Sequence, residues 1–123
     1  MPNPVMRWQI LTKCPEKLEQ FYTAMFGWSV SADNPLGYKQ VNTRCLEGIA
    51  GGFWPISANE GQSMVQLFIR VDDLESHVRK AQELGARIVV PPQTLPGGEE
   101  MAIAVDPDGI SFGMFRTSST TQG

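Results

Sequence analysis

Residues 7–12, Arg-Trp-Gln-Ile-Leu-Thr, alternate in polarity with the period of a strand that turns one face inward. Pro15 then opens a stretch in which Leu18, Phe21, Tyr22, Met25 and Phe26 recur at helical spacing until Gly27, with proline at the start and glycine past the end. The same order recurs later in the chain. Residues 64–71, Met-Val-Gln-Leu-Phe-Ile-Arg-Val, read as a strand; Asp72 and Glu75 resemble a capping box ahead of Leu74, Val78, Ala81 and Leu84, and Gly85 closes that helix. Cys14 aligns with Asp73 and Gly27 with Gly85, so a one-residue gap superposes the two segments as a duplicated supersecondary unit.

Short extended pieces follow each helix, at about 29–32, 38–42 and 48–54 and again at about 87–90, 101–106 and 110–116. Each half is therefore expected to run strand, helix, three strands: a first module over about 5–55 and a second over about 64–116. Residues 56–63 (ISANEGQS) are polar and glycine-containing, as a linker would be. The segment 91–98 (PPQTLPGG) has prolines that cannot donate to a ladder and is expected to be a surface loop. Asp106–Gly109 has the composition of a tight turn, which makes the last two strands a hairpin, and the tail 117–123 (TSSTTQG) is expected to be disordered.

Alternation also sorts the strand faces. Trp8, Ile10 and Thr12 share one face, Leu67, Ile69 and Val71 share its equivalent, and Ile110, Phe112 and Met114 join them under the helices. The opposite faces carry Arg7, Gln9 and Leu11, then Gln66, Phe68 and Arg70, then Ser111, Gly113 and Phe115. This second face is mixed and small, and Gly48, Gly51, Gly52 and Gly113 fit a concave surface with room for a ligand.

Composition narrows the function classes. A chain of 123 residues with 41% hydrophobic residues suffices for one cored domain. The net charge of −3, without a basic run, argues against nucleic acid as a partner. Apolar stretches are interrupted well before the roughly 18 residues of a membrane span, and the start MPNPVMRW lacks a signal-peptide pattern, so a soluble cytoplasmic protein is expected. Cys14 and Cys45 are too few for a disulfide framework and read as ordinary reduced thiols. His77 is the only histidine and falls at the border of a helix's buried stripe, away from the inferred site. Asp106 and Asp108 are explained by turn geometry, and GIAGGF lacks the spacing of a dinucleotide fingerprint. Arg7 and Arg70 are of a type that holds an anion through bidentate bonds, or else pairs with carboxylates such as Glu99 and Glu100. Trp54, Tyr38, Phe68 and Phe115 read either as aromatic walls of a pocket or as plain packing. Gly51 and Gly52 fit close approach of a ligand or backbone, or equally a bulge or turn.

The segments FYTAMFGW (21–28), VDDLESHVRKAQELGARIVVPP (71–92) and DPDGISFGMF (106–115) resemble the vicinal oxygen chelate superfamily, which includes glyoxalases, extradiol dioxygenases and bleomycin-resistance proteins. The resemblance spans about residues 5–116 and implies an α+β fold: two βαβββ modules whose mixed sheets curl into a cup with the helices outside, often in a homodimer. It also implies, for catalytic members, a divalent metal held at positions occupied here by Arg7, Gln66 and Gly113. A guanidinium repels a cation and glycine offers no donor, so no metal site and no cofactor are expected, and Gly113 is expected to enlarge the floor of the cup. The leading expectation is thus a metal-independent protein that binds an apolar or aromatic small molecule, neutral or anionic, among Arg7, Gln9, Gln66, Phe68, Arg70, Gly113, Phe115, Trp54 and Tyr38. The alternatives are a lyase, isomerase or dioxygenase of the same superfamily, with or without metal, and a non-catalytic interaction module.

Overall fold

The computed structural model describes residues 3–32, 38–57, 63–95 and 97–117. The elements follow the order β1 (Val5–Thr12), α1 (Pro15–Phe26), β2 (Ser29–Ser31), β3 (Lys39–Asn42), β4 (Gly51–Pro55), β5 (Met64–Arg70), α2 (Leu74–Glu83), β6 (Arg87–Thr94), β7 (Glu100–Val105) and β8 (Ser111–Arg116). This is the βαβββ order twice over. The chain forms two compact units, one of residues Met6–Gln66 and one of Met1–Val5 with Leu67–Gly123. Residues 58–62 of the expected linker, Pro96 and residues 118–123 of the expected disordered tail lie outside the described residues. No helix among the described residues is long and apolar enough to cross a membrane.

In the first unit the strands lie in the order β2-β3-β4-β1, with β4 parallel to β1 and antiparallel to β3. A parallel pair needs a crossover, and α1 supplies part of it, packing on β2 and β4. Pro15 sits in the first turn of α1, and Gly27 ends it in the left-handed region (φ 72°), its N–H donating to the Thr23 carbonyl at 3.0 Å. Under the helix, Tyr22 stacks on Trp28 with ring centroids 5.1 Å apart, and Phe53, fully buried, lies against Tyr22 and Trp8. Lys39 ties β3 to the helix through Glu19 at 2.8 Å. The apolar stripe of α1 is only partly used: Phe21, Met25 and Phe26 are exposed, and no residue of the helix is fully buried. A three-residue β2 and a five-residue β4 offer too small a platform to cover so wide a stripe.

In the second unit the order is β5-β8-β7-β6, with β5 parallel to β8 and the rest antiparallel. The cap of α2 is Asp73, one residue later than the sequence pattern indicates: its carboxylate accepts from the Ser76 N–H at 3.1 Å. The helix buries Leu74 and Val78 against Val71, Ala102 and Met114. Three sequence expectations change here. Pro91 and Pro92 lie inside β6 and not in a loop; β6 is the terminal strand of the order, and its register shifts on both sides of Val90 absorb the missing donors. Ile110 does not reach the helix side but stays exposed, because the Asp106 carboxylate accepts from the N–H groups of Asp108 and Ile110 at 2.9 Å and holds Ile110 in the turn. Leu67 is exposed as well, although Val71 on the same face is buried.

Candidate functional site

Strand register in the first unit gathers polar side chains on the face away from α1. Gln9 lies opposite Gly52, Gly52 opposite Gln40, and Gln40 opposite Ser31, so these positions form one row across four strands. Ser29 pairs with Asn42 in the next row on the same face, and Arg7 joins it by alternation from Gln9. The intervening positions, Trp8, Gly51, Val41 and Val30, belong to the helix side, where Val41 is buried. The sequence reading finds Arg7 and Gln9 but not Ser29, Ser31, Gln40 and Asn42. Their signal is the alternation in Ser-Val-Ser and Lys-Gln-Val-Asn, but which face of these short strands Gln9 shares is set by the register.

The two adjacent glycines of β4 are explained by rings on opposite faces. A Cβ on Gly51 would collide with the Trp8 indole, and a Cβ on Gly52 with the Tyr38 ring. Tyr38 therefore lies directly on the Gly52 backbone on the polar face, with the Trp54 ring 5.6 Å from it. Neither a bulge nor a turn is involved: both glycines are regular strand residues.

A hollow of about 640 Å³ opens here, lined by Arg7, Ser29, Ser31, Tyr38, Gln40 and Asn42 and by residues of the loop before β4, including Thr43, Cys45 and Leu46. That loop is held locally. The Asn42 side-chain oxygen accepts from the Arg44 N–H at 2.7 Å, Arg44 takes a left-handed φ of 69°, and the Gly48 N–H donates to the Cys45 carbonyl at 3.1 Å. Leu46, at its tip, is fully exposed.

Gln66 lies in the same unit, 2% exposed, its Oε1 accepting from Gln9 Nε2 at 3.0 Å. The other candidate residues belong to the second unit. Phe68 and Phe115 are buried with Ile103 in an apolar cluster on the face opposite α2, flanked by Val90 and Met101. Gly113 does not enlarge a floor, as its bare Cα suggested: a Cβ there would stand 2.7 Å from the Phe68 ring, so the space is already filled by that ring. Arg70 is exposed, and Glu100 pairs with Arg116 at 3.1 Å.

The implied metal positions do not fit a divalent ion. Arg7 is a permanent cation, the Gln66 oxygen is engaged by Gln9, and a donor side chain at position 113 would strike Phe68. Among the described residues no group of three or more His, Cys, Asp or Glu side chains is placed to hold a metal. His77 Nδ1 lies 3.0 Å from the Asp73 carbonyl within α2, and Cys14 and Cys45 are exposed free thiols.

Comparison with known proteins accords with this picture at the level of fold. Residues 9–115 match the family model described as the glyoxalase-like domain. Two curated relatives, from Mycobacterium bovis and Mycobacterium tuberculosis, bear the name "Putative glyoxylase CFP32" and are 28% identical over 106 residues. That match takes in 81% of this chain but only 40% of the relatives' length. Among solved structures, a hypothetical protein from Bacillus halodurans superposes over 100% of both chains with a TM-score of 0.68 at 15% identity. Streptomyces coelicolor methylmalonyl-CoA epimerase superposes over 92% of this chain and 96% of its own with a TM-score of 0.60 at 13% identity.

Proposed function

The chain belongs to the glyoxalase-like domain family of the vicinal oxygen chelate fold, and from that premise we propose that it is a metal-independent small-molecule-binding protein whose ligand rests on the polar face of the first module. The observation that carries this reading is the arrangement around Tyr38. An aromatic ring lies on bare backbone at Gly52, beside a row of amides and hydroxyls that open into a hollow of about 640 Å³, within the size range of small-molecule sites. Tyr38, with the Trp54 ring packed beside it, offers flat apolar contact, and Gln40, Asn42, Ser29 and Ser31 offer uncharged donors and acceptors. The working form is a homodimer, which would cover the exposed apolar side of α1.

The test pairs elemental analysis with thermal shift after exhaustive chelation. The expected outcome is no stoichiometric zinc, nickel, manganese or iron, and a melting temperature raised by one or more compounds of a broad aromatic and aliphatic metabolite panel in the chelated protein. Stoichiometric metal lost together with binding would overturn metal independence. A panel without a single shift would overturn the binding reading. The second reading is an enzyme of lyase, isomerase or dioxygenase type, supported by the glyoxylase name of the mycobacterial relatives. Turnover of a panel compound, followed by product analysis, would select it.

A further inference from the structure

We infer that Ser29 and Asn42 form a subsite for one acceptor oxygen of the ligand, so that the first-module hollow selects a carbonyl compound over its hydrocarbon counterpart. This rests on the binding reading above and narrows it to a ligand class.

The two residues face each other. Ser29 opens β2, Asn42 closes β3, and the antiparallel register sets them directly opposite. Side chains so paired leave their Cβ atoms about 5 Å apart on one face of the sheet, here the face away from α1. Both line the hollow and both are exposed to solvent. A hydroxyl and an amide this close converge on a single ligand atom.

The loop before β4 decides which end of the amide a ligand meets. Asn42 Oδ1 accepts from the Arg44 N–H at 2.7 Å. A backbone N–H can only donate, so the oxygen of this amide is committed to the loop, and Nδ2 with its two hydrogens is left for the hollow that Asn42 lines. Flipping the amide would set Nδ2 against that N–H. The same bond supports a costly turn, since Arg44 is the one non-glycine residue with positive φ among the described residues, at 69°. Asn42 is therefore held as a donor. Ser29 adds a hydroxyl whose hydrogen rotates to suit its partner. Two donors meeting at one point are matched by one oxygen with two lone pairs and no hydrogen of its own, which a carbonyl supplies. Neither donor is charged, and the Tyr38 ring lines the same hollow, so an uncharged aromatic carbonyl compound satisfies both kinds of contact.

The experiment uses the full chain and two probes of matched shape, acetophenone and α-methylstyrene, the second carrying a CH2 group where the first has its carbonyl oxygen. Affinities come from NMR titrations that resolve each amide. The unmodified protein is expected to bind acetophenone about fivefold more tightly, the net worth of a neutral hydrogen bond. The Asn42 side-chain NH2 protons are expected to move downfield with acetophenone only. Asn42→Asp keeps an oxygen for the Arg44 N–H but replaces the donor by an acceptor; it is expected to abolish the preference while the Arg44 N–H stays protected from exchange. Ser29→Ala is expected to lower the preference about twofold. Melting curves establish that each variant is folded. Equal affinity for the two probes in the unmodified protein, or a preference that survives both substitutions, would overturn the subsite while leaving the binding reading intact. If neither probe binds a protein that does respond to the broader metabolite panel, the ligand class is wrong and the binding reading stands. If the panel fails as well, both fall.

Discussion

Gly51 and Gly52 are neighbours in sequence, but what each excludes differs. The indole against Gly51 belongs to the core beneath α1, where Trp8 also meets Phe53 and Trp28 and donates from Nε1 to the Ile49 carbonyl at 3.1 Å. The ring against Gly52 lies on the polar face of the sheet, where Tyr38 has room to swing away. Gly51→Ala is therefore expected to cost about 1–3 kcal/mol, as overpacking of a fixed core does, and to lower the melting temperature clearly. Gly52→Ala is expected to cost about 0.5 kcal/mol or less, because a surface ring moves, and yet to abolish ligand binding by displacing it. Equal melting temperatures for the two variants, or full binding by Gly52→Ala, would contradict this division. Sequence alone shows two small residues and leaves their purpose open; the faces they serve become visible only when register places Trp8 over one and Tyr38 over the other.

At the scale of elements, the two helices show how far periodicity carries. Both are legible from their apolar spacing and their glycine ends, and the strands before them from alternation. The prolines are not legible in this way: β6 tolerates Pro91 and Pro92 because a terminal strand needs fewer ladder donors, a fact about position in the sheet and not about local sequence. Periodicity also cannot say whether an apolar stripe is covered. On α1, Phe21 and Met25 are one turn apart and 57% and 62% exposed, a patch that water solvates poorly. The homodimer proposed above would cover it, and light scattering is expected to give about twice the 13.6 kDa of the chain. Phe21→Ser with Met25→Ser is expected to shift that mass to the monomer with the helical signal retained; a monomeric unmodified protein would refute the assignment.

Across the whole molecule, the duplicated plan is the most legible feature, since the aligned helix ends repeat it before any coordinate is known. What each copy does with its second face is not legible. Alternation marks Arg7, Gln9, Phe68, Arg70, Gly113 and Phe115 alike as facing away from the helices, but the first module keeps that face polar and hollow while the second packs Phe68, Phe115 and Ile103 on it. The difference lies in side-chain volume across strands, which no single strand reveals. The interlocked Phe68 and Gly113 also constrain the chain's mutational future. Gly113→Glu alone would drive a carboxylate into an occupied, buried space, and Phe68→Ala alone would leave a void costing about 3–5 kcal/mol. The double variant is expected to unfold at a higher urea midpoint than the sum of the two single losses allows, the sign of direct coupling. Strict additivity would deny the interlock. A lineage starting from this sequence thus has no neutral first step toward placing an acid at that position, and the ring works as a ratchet against it.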